Sequence, residues 1–146
     1  MRRFVFVVPF LVACGGAETP PADSAAAAAP AALTDADVSG NWSANLMAQG
    51  SDSVIGTATY TCAGGTCRLV SAAAPNDTVV FTYTIAGDSV MYSAGAHKDA
   101  QSGAMVTDAG VSRISGNTAT GTGALRLADK PDSVVLRYRF TSTKQP

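Results

Sequence analysis

From residue 38 to the end, the chain alternates apolar and polar side chains with a period of two, and no stretch shows a helical period of 3.6. Such alternation marks strands with one buried and one wetted face. It predicts a first strand with Trp42, Ala44, Leu46 and Ala48 on one face and Ser43, Asn45 and Met47 on the other. A second strand turns Val54, Gly56, Ala58, Tyr60 and Cys62 inward, against Ile55, Thr57, Thr59 and Thr61 outward. A third, roughly 67–72, sets Leu69 opposite Tyr60. The fourth is the clearest, with Val79, Phe81, Tyr83 and Ile85 inward. The fifth carries Val90 and Tyr92 and gives way to a loop over 94–104, and the sixth runs near 105–114. The seventh faces Ala119, Gly121, Gly123, Leu125 and Leu127 inward. The eighth does the same with Val134, Leu136, Tyr138 and Phe140, leaving Arg137 and Arg139 outside.

Turn chemistry separates these segments: Ala63-Gly64-Gly65-Thr66, Ala86-Gly87-Asp88-Ser89, Ser115-Gly116-Asn117 and Asp129-Lys130-Pro131-Asp132. Eight short strands in series would expose two edges unless the sheet closes on itself. The expected fold is therefore all-β, a single eight-stranded antiparallel up-and-down barrel, with a two-sheet sandwich as the alternative. Its interior would mix small residues (Ala44, Ala48, Gly56, Ala58, Ala119, Gly121, Gly123) with large rings. Either the two sizes interleave into a solid core, or they leave an apolar pocket. In the second case the candidate ligand-binding residues are Trp42 and, near an open mouth, Tyr60, Tyr83, Tyr92 and Tyr138, with the tyrosine hydroxyls as polar anchor points. The first expectation is a non-enzymatic structural or interaction module that holds a protein partner, which a filled interior favours, and a carrier is the alternative. A void of a few hundred Å³ favours a carrier of a small apolar molecule.

The N-terminus obeys a different logic. Met1-Arg2-Arg3 precedes an apolar run from Phe4 to Ala13, too short to span a bilayer and built like a secretory leader. Its end, Leu11-Val12-Ala13-Cys14, resembles the lipobox of bacterial lipoproteins. The resemblance implies cleavage before Cys14, a lipid on its sulfur and acylation of its amino group, with chains such as palmitate, enough for stable membrane anchoring. Gly15 and Gly16 replace the Asp that typically retains such proteins at the inner membrane, which implies outer-membrane sorting within a bacterial cell envelope. The expected organisation is thus a signal peptide over 1–13, a lipidated Cys14 with a Pro/Ala-rich disordered linker over 14–37, and the barrel over 38–146. As a flexible chain the 23 residues of 15–37 would reach roughly 25–30 Å.

Gly40-Asn41-Trp42, at the start of the first strand, resembles the Gly-x-Trp opening of lipocalins and, less closely, of avidins. The lipocalin resemblance implies that Trp42 plugs the closed end of the barrel and that a basic residue of the last strand, Arg137 or Arg139, packs across it.

Charge and cysteines sharpen the picture. Loss of Arg2 and Arg3 leaves eight basic side chains against eleven acidic ones. With no basic patch, nucleic acid is not an expected partner. With Cys14 assigned to the lipid, Cys62 and Cys67 remain, flanking the 63–66 turn. Facing each other across a hairpin in an oxidising compartment, they are expected to form a disulfide. A redox site more often reads Cys-x-x-Cys, and a zinc site would need ligands beyond the lone His97. His97 lies in the glycine-rich segment 95–103 and is expected to be solvated. No acid–base pair or nucleophile elbow is present, so the chain is not read as an enzyme and calls for no cofactor or metal.

Overall fold

The computed structural model describes residues 32–146. The expected leader, Cys14 and the expected linker up to residue 31 lie outside the described residues.

Eight strands come after one short helix: α1 (Asp35–Val38), β1 (Gly40–Ala48), β2 (Val54–Ala63), β3 (Thr66–Ser71), β4 (Ala74–Ala86), β5 (Ser89–Lys98), β6 (Met105–Ser115), β7 (Thr118–Leu127) and β8 (Lys130–Lys144). Each strand pairs antiparallel with its chain neighbour. β8 returns to β1 in register from Trp42↔Lys144 to Ala48↔Tyr138, so the sheet is a closed barrel in the order β1 to β8. Closure rather than a sandwich is the outcome, and it leaves no unpaired edge. Trp42, Phe81 and Phe140 share its interior.

The turns are tighter than the sequence suggests. Cys62 pairs with Cys67 and Ala63 with Thr66, leaving a two-residue turn at Gly64-Gly65. Both glycines have positive φ, +55° and +80°, as a type I′ turn requires. The hairpin juxtaposes the cysteines, and Cys62 and Cys67 are disulfide-bonded with Cα atoms 4.0 Å apart.

Two departures from strict alternation come from bulges, where an extra residue inverts the facing of the residues beyond it. The β1–β2 register shifts between Leu46 and Met47. In consequence Val54, expected inside, is 54% exposed, while Ile55 lines the interior. The β5–β6 ladder slips between Ala94 and His97 and then resumes at His97↔Val106. The segment expected to be a loop from residue 94 is therefore strand as far as Lys98, and His97 sits on β5 with its ring against Phe81.

The folded unit also begins earlier than residue 38. The Thr34 amide and hydroxyl both donate to Asp37 Oδ2, at 2.8 and 2.7 Å, and start a single helical turn. Leu33 and the buried Val38 then pack against Cys62, Tyr83 and Val90. Residues 33–37 thus plug one end of the barrel rather than extending the spacer. The plug is fastened by polar contacts from three strands. Trp42 Nε1 donates to Val38 O at 2.9 Å, the Tyr83 hydroxyl donates to Asp35, and Lys144 Nζ donates to Ala36 O and Asp37 O at 3.2 and 3.3 Å. Lys144 also stands 5.5 Å over the Trp42 ring. The basic residue of the last strand that covers the tryptophan is therefore Lys144. Arg139 is held outside by Ser51 O and Asp52. Gly40 makes this junction possible: its φ is +121°, and a Cβ there would lie 2.9 Å from Lys144 Cε.

Candidate functional site

The barrel is hollow. A cavity of about 490 Å³ runs from the Trp42 plug to the opposite mouth, so the solid core allowed by the sequence is not formed. The sequence pattern explains the space. Ala44, Gly56, Ala58 and Ala119 place little volume on the inner wall, and all but Ala119 lie on the β1–β2 side. On the β6–β7 side, glycines instead admit the aromatic rings. A Cβ on Gly110 would lie 2.2 Å from Tyr92 Oη, one on Gly121 would lie 2.5 Å from Phe140 Cζ, and one on Gly123 would lie 2.5 Å from Tyr138 Cζ. Tyr92 and Phe140 meet edge to face with centroids 5.9 Å apart, as do Phe81 and Tyr92.

All five residues expected to line a pocket do so: Trp42, Tyr60, Tyr83, Tyr92 and Tyr138. The four tyrosines are not gathered at the mouth, however, and Trp42 stands at the closed end as expected. Trp42 stacks on Tyr60 at 6.1 Å, and Tyr83 is tied to α1, so these three rings belong to the closed end. The Tyr83 bond, with help from Ser39, holds the Asp35 carboxyl below its ordinary range. Tyr92 and Tyr138 lie on the far wall and carry the polar feature of the interior.

That feature is centred on Asp108 of β6, a residue the sequence reading did not single out. Asp108 is 7% exposed. Tyr138 Oη lies 2.8 Å from each of its carboxylate oxygens and donates to them. Tyr92 Oη is 3.0 Å from Tyr138 Oη and also donates toward Thr122 O at 3.2 Å. Burial raises the Asp108 carboxyl to about 6, against the opposing pulls of Tyr138, His97 and the Ala109 amide. Burial also raises the phenols of Tyr92, Tyr138 and Tyr60. A signal for Asp108 was available: Val106, Asp108, Gly110, Ser112 and Ile114 share one face of β6 by period two, which sets an acid on an inward face.

The mouth is crossed by the β5–β6 connection. Gln101 Nε2 donates to Ile55 O of β2 at 2.8 Å. The connection is held by Asp99, whose Oδ2 accepts from the Ser102 amide and hydroxyl at 2.8 and 2.6 Å, and by Gly103 N–H donating to Asp99 O at 2.9 Å. Lys98 through Ser102 line the cavity. This strap covers part of the opening, and its attachment to β2 is one exposed hydrogen bond, worth about 0.5–1.5 kcal/mol.

No protein-family model matches the chain, and no curated protein matches it. Among solved structures it is similar to the crystal structure of Echinococcus granulosus fatty-acid-binding protein 1. The two share 13% identity with a TM-score of 0.44, over 76% of this chain and 99% of that one.

Proposed function

We propose that the protein is a carrier that holds a small apolar ligand inside the barrel, tethered to the bacterial envelope through a lipid on Cys14. The observation that carries this reading is the cavity of about 490 Å³ with a mainly apolar lining, a size in the usual range of small-molecule sites. A module that works only by its outer surface has no need of an empty core, because empty apolar space costs packing contacts. The anchor rests on the first 14 residues of the sequence and supplies location, not chemistry.

Binding is checked with N-phenyl-1-naphthylamine, an uncharged probe that brightens in apolar surroundings. The wild-type chain should bind it with a Kd of micromolar order, about −8 kcal/mol. Ala58→Trp, which places an indole in the cavity from a buried wall position, should reduce uptake at least about tenfold. Thr59→Trp, one residue on and outward, should leave uptake unchanged. Equal uptake by all three proteins, or none by any, would remove the carrier reading. Membrane fractionation checks the anchor: Cys14→Ser should move the chain to the soluble fraction, and retention in the membrane would refute lipidation at that residue.

A further inference from the structure

We infer that the cavity selects a ligand with an amine head on an apolar body and discriminates against a carboxylate of the same size. This inference rests on the carrier reading and adds the chemistry of the head group.

The first ground is proton bookkeeping on the inner wall. Asp108 offers about four acceptor positions when ionised. Its partners are the Tyr138 hydroxyl and the Ala109 amide, so acceptor capacity remains on a side chain that lines the cavity. Donors are the scarce species. The Tyr138 proton is spent on Asp108, and the Tyr92 proton lies between Tyr138 Oη and Thr122 O. An anionic head brought to this place would find a like charge and no free hydroxyl proton. An ammonium head would find an acceptor.

The second ground is the distribution of charge around the cavity. Among the described residues that line it, the charged side chains are Asp77, Lys98, Asp99 and Asp108, with His97 as a further titratable group. Asp77 and Lys98 are exposed at the rim and Asp99 is half-buried there. Asp108 alone of the four is buried, and among the described lining residues no arginine or buried lysine opposes it. The titratable groups nearest to it are His97 and Tyr92 on β5 and Tyr138 on β8; β7 contributes Leu125, Gly123 and the Thr122 carbonyl.

The third ground is the ring set. Tyr92, Phe140 and Tyr138 are packed in sequence at centroid spacings of 5.9 and 6.4 Å beside the carboxylate. Aromatic faces attract a cation, and more strongly where water is excluded. An ammonium ion that enters loses its hydration. A buried carboxylate with flanking rings is the environment that compensates for this loss.

The test uses the full chain and three ligands of equal length: decylamine, 1-decanol and decanoate, each competed against N-phenyl-1-naphthylamine. At about pH 7.5, with Asp108 ionised, decylamine should displace the probe at roughly tenfold lower concentration than decanoate, with the alcohol between them. At about pH 5 decylamine should bind several-fold more weakly while the alcohol is unchanged, because Asp108 is then largely neutral. In Asp108→Asn the probe should still bind and the amine preference should vanish. Decanoate binding as well as or better than decylamine, or an amine preference that survives Asp108→Asn, overturns the inference and leaves the carrier reading standing. If the probe and all three ligands fail to bind the wild-type chain, the carrier reading itself falls and the inference falls with it.

Discussion

Replacing Trp42 with alanine should destabilise the barrel by about 4 kcal/mol, within the 3–5 kcal/mol typical of a buried large aromatic cut to alanine. For a domain of this size total stability is about 5–15 kcal/mol, so the variant would sit near the edge of folding. The reason lies in the contacts of the ring. Trp42 is 1% exposed, stacks almost parallel on Tyr60, bonds Val38 O through its indole nitrogen and lies under Lys144. Removing it loosens α1, β2 and β8 together, and the cavity above leaves little with which to refill the space. Trp42→Phe keeps a ring but drops the bond to Val38, and should cost about 1–2 kcal/mol beyond any packing change. Urea denaturation monitored by circular dichroism measures both. An alanine variant within about 1 kcal/mol of wild type would mean that the plug does not hold the barrel.

Asp108→Asn should do the opposite at neutral pH and stabilise the protein by about 2–3 kcal/mol. The folded carboxyl is raised to about 6 from an ordinary 3.8, so between those values the folded chain holds a proton that the unfolded chain has released. The stability linked to the neutral acid is fully present below about pH 4 and is lost as the pH climbs through 6. Above that, the folded protein carries a desolvated charge whose cost, from the same interval, is about 3 kcal/mol. Asparagine has the same shape, stays neutral and can still accept from Tyr138 through its amide oxygen. Asp35 and Asp37 are shifted downward by their hydrogen bonds, which strengthens the fold as pH rises, but this trend is common to both proteins and cancels in their difference. Denaturant curves taken from about pH 4 to pH 8 should show the gap between variant and wild type opening with pH. A gap that is constant across the range would mean that Asp108 is not buried as a charge. Alongside the loss of amine preference expected above, the same substitution would improve the empty protein and impair the loaded one, as expected when a destabilising group is kept for binding.

The barrel itself was legible because period two persists through most of 109 residues and turn chemistry falls between the strands. The inward rings of β4 and β8 were placed by that rule alone. The rule failed where a bulge added a residue. Val54 and Ile55 exchanged faces, and the ladder slip after Ala94 turned an apparent loop into strand and carried His97 inside. A bulge depends on where two strands meet, and one strand's own sequence does not contain that meeting. The same holds for the cavity. Ala44, Ala58 and Gly121 read as small in either a solid or a hollow barrel, and only the register decides whether a neighbouring ring fills the gap. It does so beside Gly121 and Gly123, whereas the wall around Ala44 and Ala58 borders open space. Lys144 was missed in favour of Arg137 and Arg139 because the pairing of β8 with β1 sets its final residues, not its middle, beside Trp42.

That last pairing has a consequence for how the molecule comes into being. The wall is sealed by its opening strand meeting its closing one, from Trp42 with Lys144 to Ala48 with Tyr138, and the Gln145 amide reaches back to Asn41 O at 2.8 Å. A ribosome delivers those partners about a hundred residues apart, and contacts of such long range form late and slowly. Until the last few amino acids emerge, the nascent polypeptide lacks its closing seam, so the barrel is completed only after synthesis ends.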